Sequence, residues 1–224
     1  GRLGYRGRMK PLHRCLTALF TALLAGCGGG SDYFPLEAGR VLSYRQAVTI
    51  LGETRQQKYI VTDIGPAEVA DLTVFEQRVQ RSDARYYRRR DDGVYRFRAA
   101  TKNDPPGRGP FVEELVLPLP PDKDRTWSLG SRLRLIESRT FAAEDRLAPL
   151  PLRLTLEYRV AGTDATVKVP AGRFEHCVHV VAAGTTTVPV DRRNAKATVT
   201  VEHHDWYAPG VGLVRSERRE TSES

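Results

Sequence analysis

From Leu152 to Val160 the chain alternates without a break. Leu152, Leu154, Leu156, Tyr158 and Val160 fall on one side, and Arg153, Thr155, Glu157 and Arg159 on the other. Successive side chains of an extended chain point to opposite faces, so this stretch reads as a strand with one dry face and one wet face. The same period of two recurs along most of the chain. Leu42, Tyr44, Val48 and Ile50 alternate with polar or small neighbours. Lys58 to Ile64 ends at Gly65-Pro66, and Leu72 to Arg81 follows. Tyr86 to Arg90 meets Asp91-Asp92-Gly93 and returns as Val94 to Arg98. An Asp-Gly pair between alternating runs predicts a hairpin, because Gly accepts positive φ at low cost.

The punctuation agrees with the period. Residues 101–110 carry three prolines and two glycines and predict a loop. Phe111 to Leu117 is closed by Pro118, Pro120 and Pro121, and Leu133 to Phe141 comes next. Ala142 to Ala148 is polar, with room for a helical turn or two. Pro170-Ala171-Gly172 reads as a turn into a strand from Phe174 to Val181. Ala195 to His203 and Gly212 to Glu220 complete the series. No long segment has helical periodicity. The expectation is an all-β fold: one antiparallel domain over 36–224, barrel-like, half-barrel or sandwich, of ten to twelve strands.

The first 31 residues follow another rule. Cys15 to Leu24 is an apolar run of ten residues, preceded by Lys10, His13 and Arg14 and followed by Ala25 and Gly26. That is the layout of an export signal. Ten residues fall short of the roughly 20 that a membrane-spanning helix needs. The run ends in Leu24-Ala25-Gly26-Cys27, which resembles the lipobox of bacterial lipoproteins. The resemblance implies cleavage between Gly26 and Cys27 and lipid on the Cys27 thiol. Residues 1–26 then form the signal, with 1–8 upstream of a start at Met9, and 27–35 form the lipidated cysteine and a flexible tether. Each buried CH₂ contributes about 0.8 kcal/mol, so two or three acyl chains hold a soluble domain at a bilayer. Gly28 follows the cysteine, where an Asp would imply retention at the inner membrane. In a two-membrane envelope the expected place is therefore the outer membrane, facing the periplasm.

Export also changes the charge and cysteine arithmetic. The whole chain carries +8, but residues 1–26 hold five bases and no acid, which leaves 30 bases against 27 acids, or +3. The high isoelectric point belongs mostly to the leader, and a nucleic-acid partner is not expected. Of three cysteines, Cys15 is discarded and Cys27 acylated, so Cys177 is alone and the fold stands without a disulfide.

Three further motifs are Tyr33-Phe34-Pro35-Leu36 with Gly39 and Tyr44, Val169-Pro170-Ala171-Gly172-x-Phe174, and Trp206-Tyr207-Ala208-Pro209-Gly210-Val211-Gly212. Together they resemble a family of uncharacterised exported bacterial β proteins, many of them lipoproteins. The resemblance implies an antiparallel barrel-like or half-barrel sheet and implies no reaction. Leu42 departs from the family's usual Trp. Taken physically, Pro209 fixes φ and Gly210 accepts a positive value, as a type II turn requires, with Trp206 and Tyr207 pinning the corner.

Chemistry is sparse. Glu175, Cys177 and His179 are spaced to share a strand face, and His203, His204 and Asp205 are further ligand types, but no closed metal-ligand spacing joins them. Cys177 with a histidine is a nucleophile pattern without a surrounding signature. Glu113-Glu114 and Asp91-Asp92 lie on opposite faces or in turns. No catalytic residue, metal or cofactor is expected, and the chain reads as a non-enzyme. The richest cluster is Arg85, Arg88, Arg89, Arg90, Arg96 and Arg98, interleaved with Tyr86, Tyr87, Tyr95 and Phe97. Arg88, Arg89, Arg90, Arg96 and Arg98 are candidates for binding an anion or an envelope partner. The expected function is that of a cell-envelope lipoprotein whose curved sheet holds an apolar or amphipathic ligand. The alternative is a structural module that docks on another envelope protein.

Overall fold

The computed structural model describes residues 32–50, 52–69, 71–80, 83–99, 111–133, 153–189 and 196–223. The leader, Cys27, the loop expected over 101–110, the continuation of the strand begun at Leu133 and the stretch 142–148 lie outside the described residues.

The described chain is all β, in two antiparallel sheets. The first is a six-stranded meander of β1 (Val41–Ile50), β2 (Glu53–Val69), β3 (Leu72–Val79), β4 (Asp83–Arg90), β5 (Gly93–Ala99) and β6 (Phe111–Pro118). The second is a five-stranded meander of β7 (Thr126–Arg132), β8 (Arg153–Val169), β9 (Gly172–Pro189), β10 (Lys196–Ala208) and β11 (Gly212–Glu223). Strand β7 and strand β11 are opposite edges of the second sheet. Yet Arg218 of β11 donates to Ser131 Oγ (3.0 Å) and to the Arg132 carbonyl (2.8 Å) on β7. The sheet is therefore rolled, forming a half-barrel.

The alternation of 152–160 has its predicted consequence. Leu154, Leu156 and Val160 are buried, and Tyr158 is half-buried. Leu154 and Leu156 join Leu133, Ala182, Val188, Ala197, Val199 and Val201 in a cluster drawn from the second sheet alone, which fills that end of its concave face. A second cluster joins the two sheets: Leu117 of β6 packs with Val160, Val178, Val180 and Tyr207, backed by Tyr33 and Phe34.

Several strands break the parity that the sequence suggested. Gly65-Pro66 does not end β2. The strand passes through it on a bulge at 63–65, with Gly65 at φ 128°. Pro66 is accommodated because β1 pairs with β2 only as far as Thr62, leaving β3 as the sole strand neighbour beyond. The far ends of β1 and β2 project as a ribbon, so Val48 and Ile50 are exposed, not buried. Strand β9 runs well past the predicted Val181. Its bulge carries His176 at φ 55°. That extra residue turns Cys177 into an apolar cluster with Val167 and Ala208, on the face opposite Tyr207.

The predicted hairpin at 91–93 forms, but for a different reason. Gly93 has no positive φ; it pairs with Arg90, and a Cβ there would stand 2.5 Å from Leu115 Cδ1 and 2.9 Å from the Leu117 carbonyl. Close approach of β6 selects this glycine. At Pro209-Gly210, φ of Gly210 is 71° and Val211 N–H donates to the Ala208 carbonyl at 3.2 Å, as in a type II turn.

Gly184 is constrained like Gly93. A Cβ there would meet the Thr155 carbonyl oxygen at 2.4 Å and Leu156 Cδ2 at 2.9 Å, whereas one at Gly162 would meet nothing within 4 Å. Gly184→Ala should therefore cost about 1–3 kcal/mol through overpacking. Gly162→Ala should stay within roughly 0.5 kcal/mol of the parent. Urea unfolding midpoints of the two variants check the difference.

Candidate functional site

The second sheet's register sets one row of side chains across its concave face. Trp127 stands opposite Tyr158, Tyr158 opposite Ala182, Ala182 opposite His203, and His203 opposite Arg218. One step along β10 lies Asp205. From the first sheet, Arg96 and Glu114 are direct partners across β5 and β6. Burial is the leading cause that raises the Tyr158 pKa, with Asp205, Arg218, Arg96 and Glu114 as further electrostatic influences. A polar belt thus crosses the joint between the sheets.

Within the belt, Glu114 is only 9 % exposed and takes Arg96 Nη2 at 2.8 Å and Arg98 Nη1 at 3.1 Å. Asp205 is equally buried. Its Oδ2 lies 3.0 Å from His203 Nε2 and accepts from the Tyr207 hydroxyl at 3.4 Å. Burial pushes the Tyr207 hydroxyl well above its ordinary value, so it stays protonated and donates. The indole of Trp127 stacks on Tyr158 at 5.4 Å, and Tyr158 meets His203 edge-on at 6.3 Å. Among the described residues four buried side-chain polar atoms have no hydrogen-bond partner: Arg96 Nε, Trp127 Nε1, His203 Nδ1 and Asp205 Oδ1. All four belong to belt residues, and such atoms ordinarily have a partner. Beside the belt, where the edges β6 and β7 diverge, a cleft of about 240 Å³ opens over Glu114 and Ser131. Its walls carry Arg98, Arg132, Arg153 and Val112.

The arginines singled out from the sequence separate into different jobs. Arg89 donates to Asp32 Oδ1 (2.6 Å) and to the Phe34 carbonyl (2.7 Å). Arg90 pairs with Glu113 and lies 4.9 Å over the Tyr95 ring. Arg85 donates to the Tyr59 hydroxyl at 2.7 Å. Arg88 has no ion pair among the described residues. Most of the cluster is thus held by carboxylates and carbonyls of its own chain. Only Arg96 and Arg98 reach the belt and its cleft.

The Glu175, Cys177 and His179 set does not converge. Glu175 pairs with Arg173 at the surface, and Cys177 is fully buried among apolar side chains. Burial raises the Cys177 pKa, which keeps the sulfur in the unreactive thiol form. His176 sits 2.6 Å from Asp164, exposed. His179 lies in the outer-face row: it stacks on Trp206 at 4.5 Å, its Nε2 is 3.1 Å from His204 Nδ1, and Arg215 covers the other side of Trp206 at 5.0 Å. Among the described residues no three metal-ligating side chains come together.

Sequence reasoning missed Trp127, Tyr158, Arg132, Arg153 and Arg218. Each occupies an unremarkable place in an alternating strand. The signal that places them is the register between strands, which a single sequence does not display.

Compared with family models, with curated proteins and with solved structures, the chain gives no match.

The outer-face histidine pair has a consequence for stability. Burial is the first cause lowering the His179 pKa, followed by His204 and then Arg159; Asp205 and Glu217 oppose it. A base whose pKa is lower in the fold favours the neutral form there, so its stabilising effect is present above the unfolded value of about 6.5 and fades as pH falls through the folded value. Between pH 7 and 5 the parent should lose more stability than His179→Asn, as read from urea midpoints across that range.

Proposed function

We propose that this chain is a non-catalytic, lipid-anchored module of a bacterial cell envelope that docks on another envelope protein through the open edge of its six-stranded sheet. One observation carries the docking half of this reading. Strand β1 is the sheet's first edge, and no described strand pairs with its outer side. It exposes Val41 (63 %), Val48 (39 %) and Ile50 (36 %). Exposed edges are ordinarily blunted by charge, proline or cover, because unpaired N–H and C=O groups template pairing with another chain. An edge ten residues long with apolar side chains fits addition of a strand from a partner.

The anchoring half rests on Leu24-Ala25-Gly26-Cys27 and the apolar run before it. The carrier reading, in which a curved sheet encloses an apolar ligand, has less to support it. The concave face of the second sheet is occupied by its own leucines and valines, and the cleft beside it is lined by three arginines, Glu114 and Ser131, with Val112 as its one large apolar side chain. The arginine cluster is likewise a weaker docking surface than the edge, since its charges are mostly met within the chain.

Two measurements test the halves separately. Expressed in a bacterium, the full chain should partition into detergent phase and carry acyl mass, and Cys27→Ser should move it to the aqueous phase. A photo-crosslinking residue at Val48 should give a discrete protein adduct in whole cells that disappears when Ala47→Pro removes an edge N–H. A crosslink pattern unchanged by Ala47→Pro, or native mass spectra showing a bound apolar molecule that leaves on denaturation, would overturn docking in favour of carriage.

A further inference from the structure

We propose that the cleft between β6 and β7 is an anion site for a phosphate group, held by Arg98, Arg132 and Arg153. The register makes the case. Arg132 and Arg153 are direct partners across β7 and β8, so their side chains leave the sheet on one side. Directly opposed like charges destabilise a strand pair unless a counter-charge sits by them. Among the described residues neither makes an ion pair, and both line the cleft. Arg98 faces them from the other sheet. The single carboxylate in the lining, Glu114, is already shared between Arg96 and Arg98.

Three guanidiniums against one doubly engaged carboxylate leave the cleft with a positive surplus. Guanidinium forks match the paired oxygens of a phosphate, and they do so better than the point charge of a lysine. Arg96, which shares Glu114 with Arg98, stands behind the lining and is not part of it. Nearby, Ser131 Oγ is fixed by Arg218, so the cleft's floor is held in place. The volume of about 240 Å³ takes several water molecules' worth of ligand, at roughly 30 Å³ each, which suits a phosphate with a small substituent.

The same chemistry comes from inorganic phosphate or from the headgroup of an anionic phospholipid, and the test separates them. Titration calorimetry on the full chain in non-ionic detergent would use inorganic phosphate first, then dihexanoyl-phosphatidylglycerol. The parent should bind in a saturable way. Arg132→Gln with Arg153→Gln, both at exposed positions, should weaken binding at least tenfold, and Arg173→Gln, at the remote Glu175 pair, should leave it unchanged. Tighter binding of the lipid assigns the site to a headgroup, and tighter binding of inorganic phosphate assigns it to the free ion. Saturable binding that survives the double substitution, equal loss in Arg173→Gln, or no saturable binding by the parent would overturn the proposal. The thermal transitions of the variants, expected to match the parent, show that the fold is intact.

Discussion

Phe34 holds the two sheets together. Its ring sits 5.1 Å from Tyr87 of the first sheet and 6.2 Å from Tyr207 of the second. Polar contacts to Asp32–Arg40 reach both sheets. Gly210 N–H donates to the Asp32 carbonyl, and Arg40 spans from the Pro35 carbonyl to the Val211 carbonyl at 2.6 Å. Alongside it Tyr44 donates to the Leu213 carbonyl at 2.8 Å, and burial raises its pKa to about 12. The covalent link between the sheets is the connection from β6 to β7. Without the Phe34 segment the apolar faces of Leu117 and Tyr207 would meet water along one flank.

That seam explains why a polar belt is tolerated at the centre of the molecule. A buried polar atom left without a partner costs about 1–3 kcal/mol, so four in one place would be a heavy load for a domain of this size. The apolar clusters on either side supply the counterweight, with Leu117, Leu133, Leu156, Val160 and Val199 among the described side chains almost wholly sequestered from solvent. The belt is also where charge is most concentrated away from water, with Arg96, Arg98, Glu114, His203, Asp205 and Arg218 contributed by both sheets. Polar networks of this kind fix one relative arrangement of two layers, since a shift of one residue would separate each charge from its partner.

Much of this architecture is written locally. The alternation around Leu154 and Leu156, the Asp91-Asp92 corner and the Pro209-Gly210 turn each act over a few residues, and each appears where the sequence puts it. The misreadings share one cause. A bulge adds a residue to one strand and reverses the parity of everything after it. Thus Gly65-Pro66 looked like a strand end, and Cys177 looked like a companion of Glu175, although it does share the outer face with His179. The cleft was illegible for another reason. Arg98 and Arg153 are ordinary in their own strands, and only the meeting of β6 with β7 makes them neighbours. The arginine cluster shows the converse, since its density in the sequence suggested a free cationic surface, whereas Glu113, Glu114 and Asp32 absorb most of it.

The Phe34 segment has a mechanical consequence. It is the first described part of the chain, and it lies across the boundary between the layers. Tension applied to the backbone ahead of Asp32 reaches this segment before any strand of either sheet. The hydrogen bonds there run to β4 of the first sheet and to the turn between β10 and β11 of the second, so such a load would be shared among Arg89, Arg40 and Gly210 at once. A protein pulled from that end would yield first by parting its two layers, with each meander still intact.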